Sequence, residues 1–183
     1  MNRGTPRLAP ISRADRTPEQ QRLIEQVGSE KHIFTTLIHH PELYKHFHQF
    51  AGRLLRNSGL PATVRETLIL RSAFRSRSGY EWVQHIVIAA SVGVSQDVIA
   101  QLDQERTVFD DSHTTTLLGR AADELVLQRY LEQDTWDALT QTYDGQQMIE
   151  IYMLVGNYAM IAGVLRFLQA QVEDGQPEPS WAQ

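Results

Sequence analysis

Glu66, Ser78, Glu81 and His85 are the residues of this 183-residue sequence whose types and spacing suit proton chemistry. Glu81 and His85 stand four positions apart, so on a helix they share one face and can touch. Glu66 lies near the start of the preceding apolar run, and a helical hairpin turning at residues 76–79 would carry it to the level of His85. A carboxylate beside an imidazole orients the ring, fixes its tautomer and raises its basicity, which is the minimal equipment of a general base or proton relay. The same pair also occurs on solvated helices, and a buried histidine satisfied by a glutamate is often only structural. The pattern alone leaves both readings open.

The elements that must position these residues read as helices. Alternating β-branched runs are scarce, while helix start signals recur. Thr17-Pro18-Glu19-Gln20 is a capping box with proline at the first helical position, ahead of Leu23, Ile24 and Val27. Further helices are expected over residues 33–40, from Pro41 to a stop at Gly59, from Pro61 to Ser76, over 80–92 and over 95–102. Residues 103–112 form the most polar connector, and helices follow over 113–131, 134–143 and 144–172. Asp134 with Asp137, and Asp144 with Gln147, are placed to cap first turns. The fold class is all-α, a single helical domain over residues 15–172, with a flexible arm at 1–14 and a loose Pro- and Gln-rich tail at 173–183. A weak internal echo between the 65–91 region and the last apolar helix suggests a pseudo-repeat.

Composition narrows the chemistry. The chain has no cysteine, which removes disulfides, thiolate metal sites and cysteine nucleophiles together. A net charge of −5 has the wrong sign for a chain that lives on nucleic acid or an anionic membrane, so neither is expected as a partner. Residues 149–168 have membrane length but hold Glu150, Asn157 and Arg166, and they read as a buried helix of a soluble fold. The arginine-rich first 16 residues contain no apolar run of the kind a secretory signal needs, so the cytoplasm is the expected compartment. No phosphate loop, nucleophile elbow or dinucleotide fingerprint is present.

Other residues carry weaker signals. His39, His40, Glu42, His46 and His48 crowd one region, but the spacing is not that of a metalloprotease helix, and no metal is expected. Packing at a helix junction or a subunit contact accounts for most of them, with His39 or His40 lining a pocket as the functional variant. Tyr80 and Trp82 flank Glu81 as packing aromatics or substrate contacts. Tyr152, Asn157 and Tyr158 lie on the last helix, where an asparagine either hydrogen-bonds across a packing surface or lines the same cavity. Arg71, Arg75 and Arg77 form a run that is commonly a solvated face with ion pairs.

The stretch RETLILRSAFRSRSGYEWVQHIVIAASVGVSQDVIAQL, beginning at Arg65, resembles the carboxymuconolactone decarboxylase family, which includes the AhpD-type alkylhydroperoxidases. The AhpD motif is a glutamate, eleven residues, then Cys-x-x-Cys-x-x-x-His. Here Glu66 is followed at those spacings by Ser78, Glu81 and His85, so the glutamate and histidine match while Ser78 and Glu81 stand where the cysteines belong. The resemblance extends over about residues 15 to 170. It implies an AhpD-like helical bundle assembled as a homo-oligomer, commonly a trimer or hexamer. In the AhpD branch paired thiols reduce peroxide through a disulfide, a cycle this chain cannot run without cysteine. The family's other named activity, decarboxylation of a carboxylated muconolactone, needs neither cysteine nor metal. That leads to an expectation of a cofactor-independent lyase-like enzyme acting on a small organic acid or lactone. His85 is then the acid/base, Glu66 its orienting partner and Glu81 a second carboxyl group, with Arg71, Ser78, Tyr80 and His39 as substrate contacts. The alternative is a non-catalytic ligand-binding or scaffold protein that retains the fold.

Overall fold

The computed structural model describes residues 5–105, 114–173 and 175–182. Among these, nine α-helices and no strand are found. The first is α1 (Pro18–Val27), opened by the Thr17–Gln20 capping box and ended at Gly28 in the left-handed region, followed by α2 (His32–Leu37). Next come α3 (Pro41–Arg56), α4 (Ala62–Arg75), α5 (Gly79–Ser91) and α6 (Gln96–Leu102). The last three are α7 (Thr114–Leu127), α8 (Gln133–Thr140) and α9 (Gly145–Leu168). The polar connector expected at 103–112 lies largely outside the described residues, as does His113, the expected start of α7.

α4 is the central element, packed against α5, α7 and α9. Leu68, Ile69, Leu70, Ala73 and Phe74 are essentially inaccessible on it, so it is buried all round rather than along one stripe. The main core lies between α4, α7 and α9, around Leu68, Ala121, Ala122, Ile151 and Leu154. A second cluster joins Phe74 of α4 to Trp82 of α5 and to Ile99 and Leu102 of α6. α9 has the length and hydropathy of a membrane span, yet half of its apolar window is buried inside the bundle. A capping box of Asp144 with Gln147 starts it. The cap expected from Asp134 is absent: α8 begins at Gln133, and the N-cap residue Glu132 makes no side-chain cap.

The α4–α5 turn is tight because Arg77 adopts a left-handed conformation, φ 55°. The Ser78 amide then reaches the Ala73 carbonyl at 2.8 Å and the Arg77 amide that of Phe74 at 3.0 Å, closing the end of α4. The guanidinium of Arg77 lies over the Phe74 ring and pairs with Glu105, which holds a non-glycine residue in this conformation. Ser78, now the N-cap of α5, accepts from the Glu81 amide. Two helices leave this corner side by side, α4 leading back to Glu66 and α5 forward to His85.

The two ends of the chain are anchored in their described parts. The Arg7 amide donates to the Leu168 carbonyl at the end of α9, and that of Ile11 to Thr35, both at 2.9 Å. In place of a loose tail, Trp181 sits edge-on against both Phe74 and Trp82. Glu173 accepts from the His32 amide and the Tyr80 hydroxyl, each at 2.8 Å, and from Gln84. Apolar aromatic area and a partnered carboxylate explain why so polar a segment is held.

Candidate active site

The hairpin brings the Glu66 carboxylate to the His85 ring, Oε2 to Nδ1 at 2.8 Å. A carboxylate accepts, so Nδ1 carries the proton and Nε2 is left to accept. It does so from the hydroxyl of Tyr158 on α9, at 3.1 Å, with the two rings edge to face. Three helices thus supply one chain of groups, Glu66 to His85 to Tyr158. Both nitrogens of the histidine are engaged, and the Tyr158 hydroxyl is the outer end of the relay. Tyr158 is buried, and its phenol is held well above its ordinary value by that burial and then by the nearby Glu66 carboxylate.

Glu81 lies one turn before His85, buried to 3% exposure, with neither carboxyl oxygen finding a hydrogen-bond partner. Burial therefore pushes its carboxyl well above the usual carboxylate range, only partly opposed by the contact with Ser78. Oδ1 of Asn157, next to Tyr158 on α9, is likewise buried without a partner. Leaving such groups unpaired costs about 1–3 kcal/mol each, an arrangement that needs a reason beyond folding.

Glu81, His85, Asn157 and Tyr158 line a cavity of about 200 Å³ between α3, α5 and α9. Phe34, Phe47, Leu55 and Ile161 make its apolar wall, and it reaches the surface beside the exposed side chains of Arg56 and Ile88. His48 also lines it, stacked on Tyr44, and its imidazole is shifted below its ordinary value by burial and by Arg56. At Gly52 a Cβ would collide with the Arg56 guanidinium, so glycine leaves room for that side chain to fold back along α3.

Of the residues singled out from the sequence, Glu66, Glu81 and His85 converge, and Tyr80 joins the cavity wall with its hydroxyl already held between the Ile33 amide and Glu173. Ser78 caps α5 behind them rather than lining the cavity. Arg71 does not join the site. It is fully buried on α4, bound through Nε and Nη2 to Asp123 of α7 at 2.6 and 2.8 Å and through Nη1 to the carbonyls of Leu102 and Gln104. It points away because the Glu66 face of α4 meets α5 and α9 while its opposite face meets α7. His39 is exposed and bonds to the Ala9 carbonyl. Among the described residues no group of three His, Asp or Glu side chains could hold a metal ion, and His40 instead caps α3.

The cations at the cavity, Lys31 and Arg56, were missed. The one signal for Arg56 is the register of α3, where His48, Gly52 and Arg56 recur every fourth residue and so share a face, while Lys31, just before α2, has none.

The fold is an AhpD-like all-α bundle. Residues 41–124 match the Carboxymuconolactone decarboxylase family, a span that holds the whole Glu66-to-His85 frame. The match covers just under half of the chain. No curated protein matches the sequence. Among solved structures, it resembles an uncharacterized peroxidase-related protein with the alkylhydroperoxidase AhpD core from Ralstonia eutropha JMP134. That likeness has a TM-score of 0.74 at 15% identity, over 93% of this chain and 94% of the other. An uncharacterized peroxidase-related protein from Silicibacter sp. TM1040 gives 0.73 at 14% identity, over 96% and 98%. The debrominase Bmp8, as a cysteine-to-alanine variant in complex with 2,3,4-tribromopyrrole, gives 0.67 at 16% identity, over 91% of each chain. At these identities the likeness is one of fold.

Proposed function

We propose that the chain is a cofactor-independent enzyme that moves a proton on, or decarboxylates, a small organic acid or lactone in the cavity beside His85. The observation that carries this reading is the Glu66–His85–Tyr158 chain ending at a cavity with an apolar wall and a cationic rim. In it the substrate carboxylate faces Arg56 and the reacting carbon faces Tyr158. In proton abstraction, the C–H pair of electrons moves onto an adjacent carbonyl oxygen while the proton passes through Tyr158 to Nε2 of His85. The imidazolium is stabilised by Glu66. In decarboxylation the C–C pair moves onto that oxygen instead and CO2 leaves; Tyr158 then gives its hydroxyl proton to the carbon and is reprotonated from water. Glu81, as a neutral acid, is a further hydrogen-bond donor to the substrate. The debrominase with this fold is known with a one-ring ligand, a size that suits the cavity here. Lacking every cysteine, the chain is not a thiol peroxidase on this reading, and the purified protein should not consume peroxide. It works as a homo-oligomer in the cytoplasm.

The test is a panel of lactones and small carboxylic acids incubated in D2O and followed by NMR for exchange at carbon and for loss of CO2. His85→Gln should lower the rate by about 10²-fold or more while leaving fold and assembly intact. An unchanged rate on a proven substrate removes His85 from the mechanism. A ligand that binds in the cavity with neither exchange nor decarboxylation would favour a binding protein that keeps the fold.

A further inference from the structure

The buried polar side chains lining the cavity fall into two groups. Tyr80 and Gln84 are tied to Glu173, and Tyr158 to His85. Glu81 and Asn157 are not: both carboxyl oxygens of the first and Oδ1 of the second are buried without a partner, at 3% and 7% exposure, on a shared cavity. Buried polar groups in folded proteins are nearly always paired, so two orphans on residues that line one cavity call for a ligand with matching groups. A protonated carboxyl can both give and accept a hydrogen bond, and an amide oxygen accepts. One hydroxyl answers both, donating to Asn157 and accepting from Glu81. A second carboxylate would offer Asn157 no proton.

The rim carries the opposite demand. Lys31 and Arg56 line the same cavity and make no ion pair among the described residues, so a carboxylate there meets cations not already engaged. Between rim and orphans the wall is apolar. The volume, about 200 Å³, exceeds the roughly 150 Å³ that admits benzene, which leaves room for one ring and two small substituents.

We propose that the cavity selects a one-ring organic acid bearing a hydroxyl, the hydroxyl held by Glu81 and Asn157 and the carboxylate by Arg56 and Lys31. This rests on the reading of the cavity as the substrate site and narrows its substrate class.

Isothermal titration calorimetry with benzoate, phenol, 3-hydroxybenzoate and 4-hydroxybenzoate as rigid probes tests it on the intact protein. At least one hydroxybenzoate should bind about tenfold or more tightly than both benzoate and phenol, a free-energy gap of about 1.4 kcal/mol. Asn157→Leu should bring that hydroxybenzoate down to the benzoate value and leave benzoate unchanged. Arg56→Gln should weaken benzoate and hydroxybenzoate together and leave phenol unchanged. Glu81→Gln, still neutral and polar, should keep most of the hydroxyl preference, and Glu81→Leu should lose it, which gives a second reading if Asn157→Leu does not fold. The proposal is overturned if none of the probes binds, if neither isomer exceeds benzoate, or if the preference survives both leucine variants. Hydroxyl preference without proton exchange on any acid would remove the catalytic reading and keep this one. Exchange that depends on His85 without hydroxyl preference would do the reverse.

Discussion

Burial without a partner keeps the Glu81 carboxyl protonated at pH values where the unfolded chain, with a carboxyl near 4.5, has lost its proton. The stability this contributes is complete below the unfolded value and is lost as the pH climbs toward the folded one, at up to about 1.4 kcal/mol per pH unit. Glu81→Gln keeps a neutral side chain of the same shape and removes that loss. The variant should therefore gain in Tm over the wild type as the pH is raised from about 5 to about 8. Parallel Tm curves for the two proteins would mean that the carboxyl ionises freely in the fold. Glu66, equally inaccessible, has an imidazole at 2.8 Å, whereas neither carboxyl oxygen of Glu81 has a hydrogen-bond partner.

At the scale of elements, the site depends on how α4 is held. Its Arg71 and Arg75 both form two-point contacts with Asp123 of α7, at 2.6–2.8 Å, on the side of the helix away from Glu66. Asp123→Asn would remove the carboxylate charge paired with the fully buried Arg71 and should cost about 3–5 kcal/mol, read as a lower urea midpoint. A loss below about 1 kcal/mol would mean that the carbonyls of Leu102 and Gln104 suffice for Arg71. This pairing also shows where the sequence misleads. A run of three arginines ordinarily marks a solvated face, and Arg71 one and a half turns past Glu66 looks available to a substrate. The carboxylate that engages it is 52 residues away, and no local spacing announces it.

The whole molecule is closed by its ends and left open along α9. Deleting residues 173–183 would uncover Phe74 and Trp82 and strip Tyr80, Gln84 and the His32 amide of their shared carboxylate. Stability should fall by roughly 3 kcal/mol in thermal unfolding, and an unchanged Tm would show the tail to be dispensable. Along α9, Ile149, Tyr152, Met153, Met160 and Phe167 are each 45–69% exposed, an apolar stripe longer than single chains usually leave to water. If the proposed homo-oligomer forms through this stripe, Met153→Glu with Phe167→Glu should yield monomers by light scattering. An unchanged mass would place the contact elsewhere.

What the sequence by itself determined was local in origin. Capping boxes, proline starts and 3.6-residue periodicity are written within a few positions, so the helices were legible, and so was the Glu66–Ser78–Glu81–His85 frame that spans a single hairpin. Only the tertiary structure decided what surrounds that frame: Tyr158 on the free nitrogen of His85, Asn157 and Arg56 at the cavity, and Arg71 withdrawn to Asp123. The Arg71–Asp123 and His85–Tyr158 contacts join residues 52 and 73 positions apart, across helices that bury mostly apolar side chains. Which faces meet is set by the packing of α4 against three partners at once, and that choice is a property of the assembled core, not of any one helix.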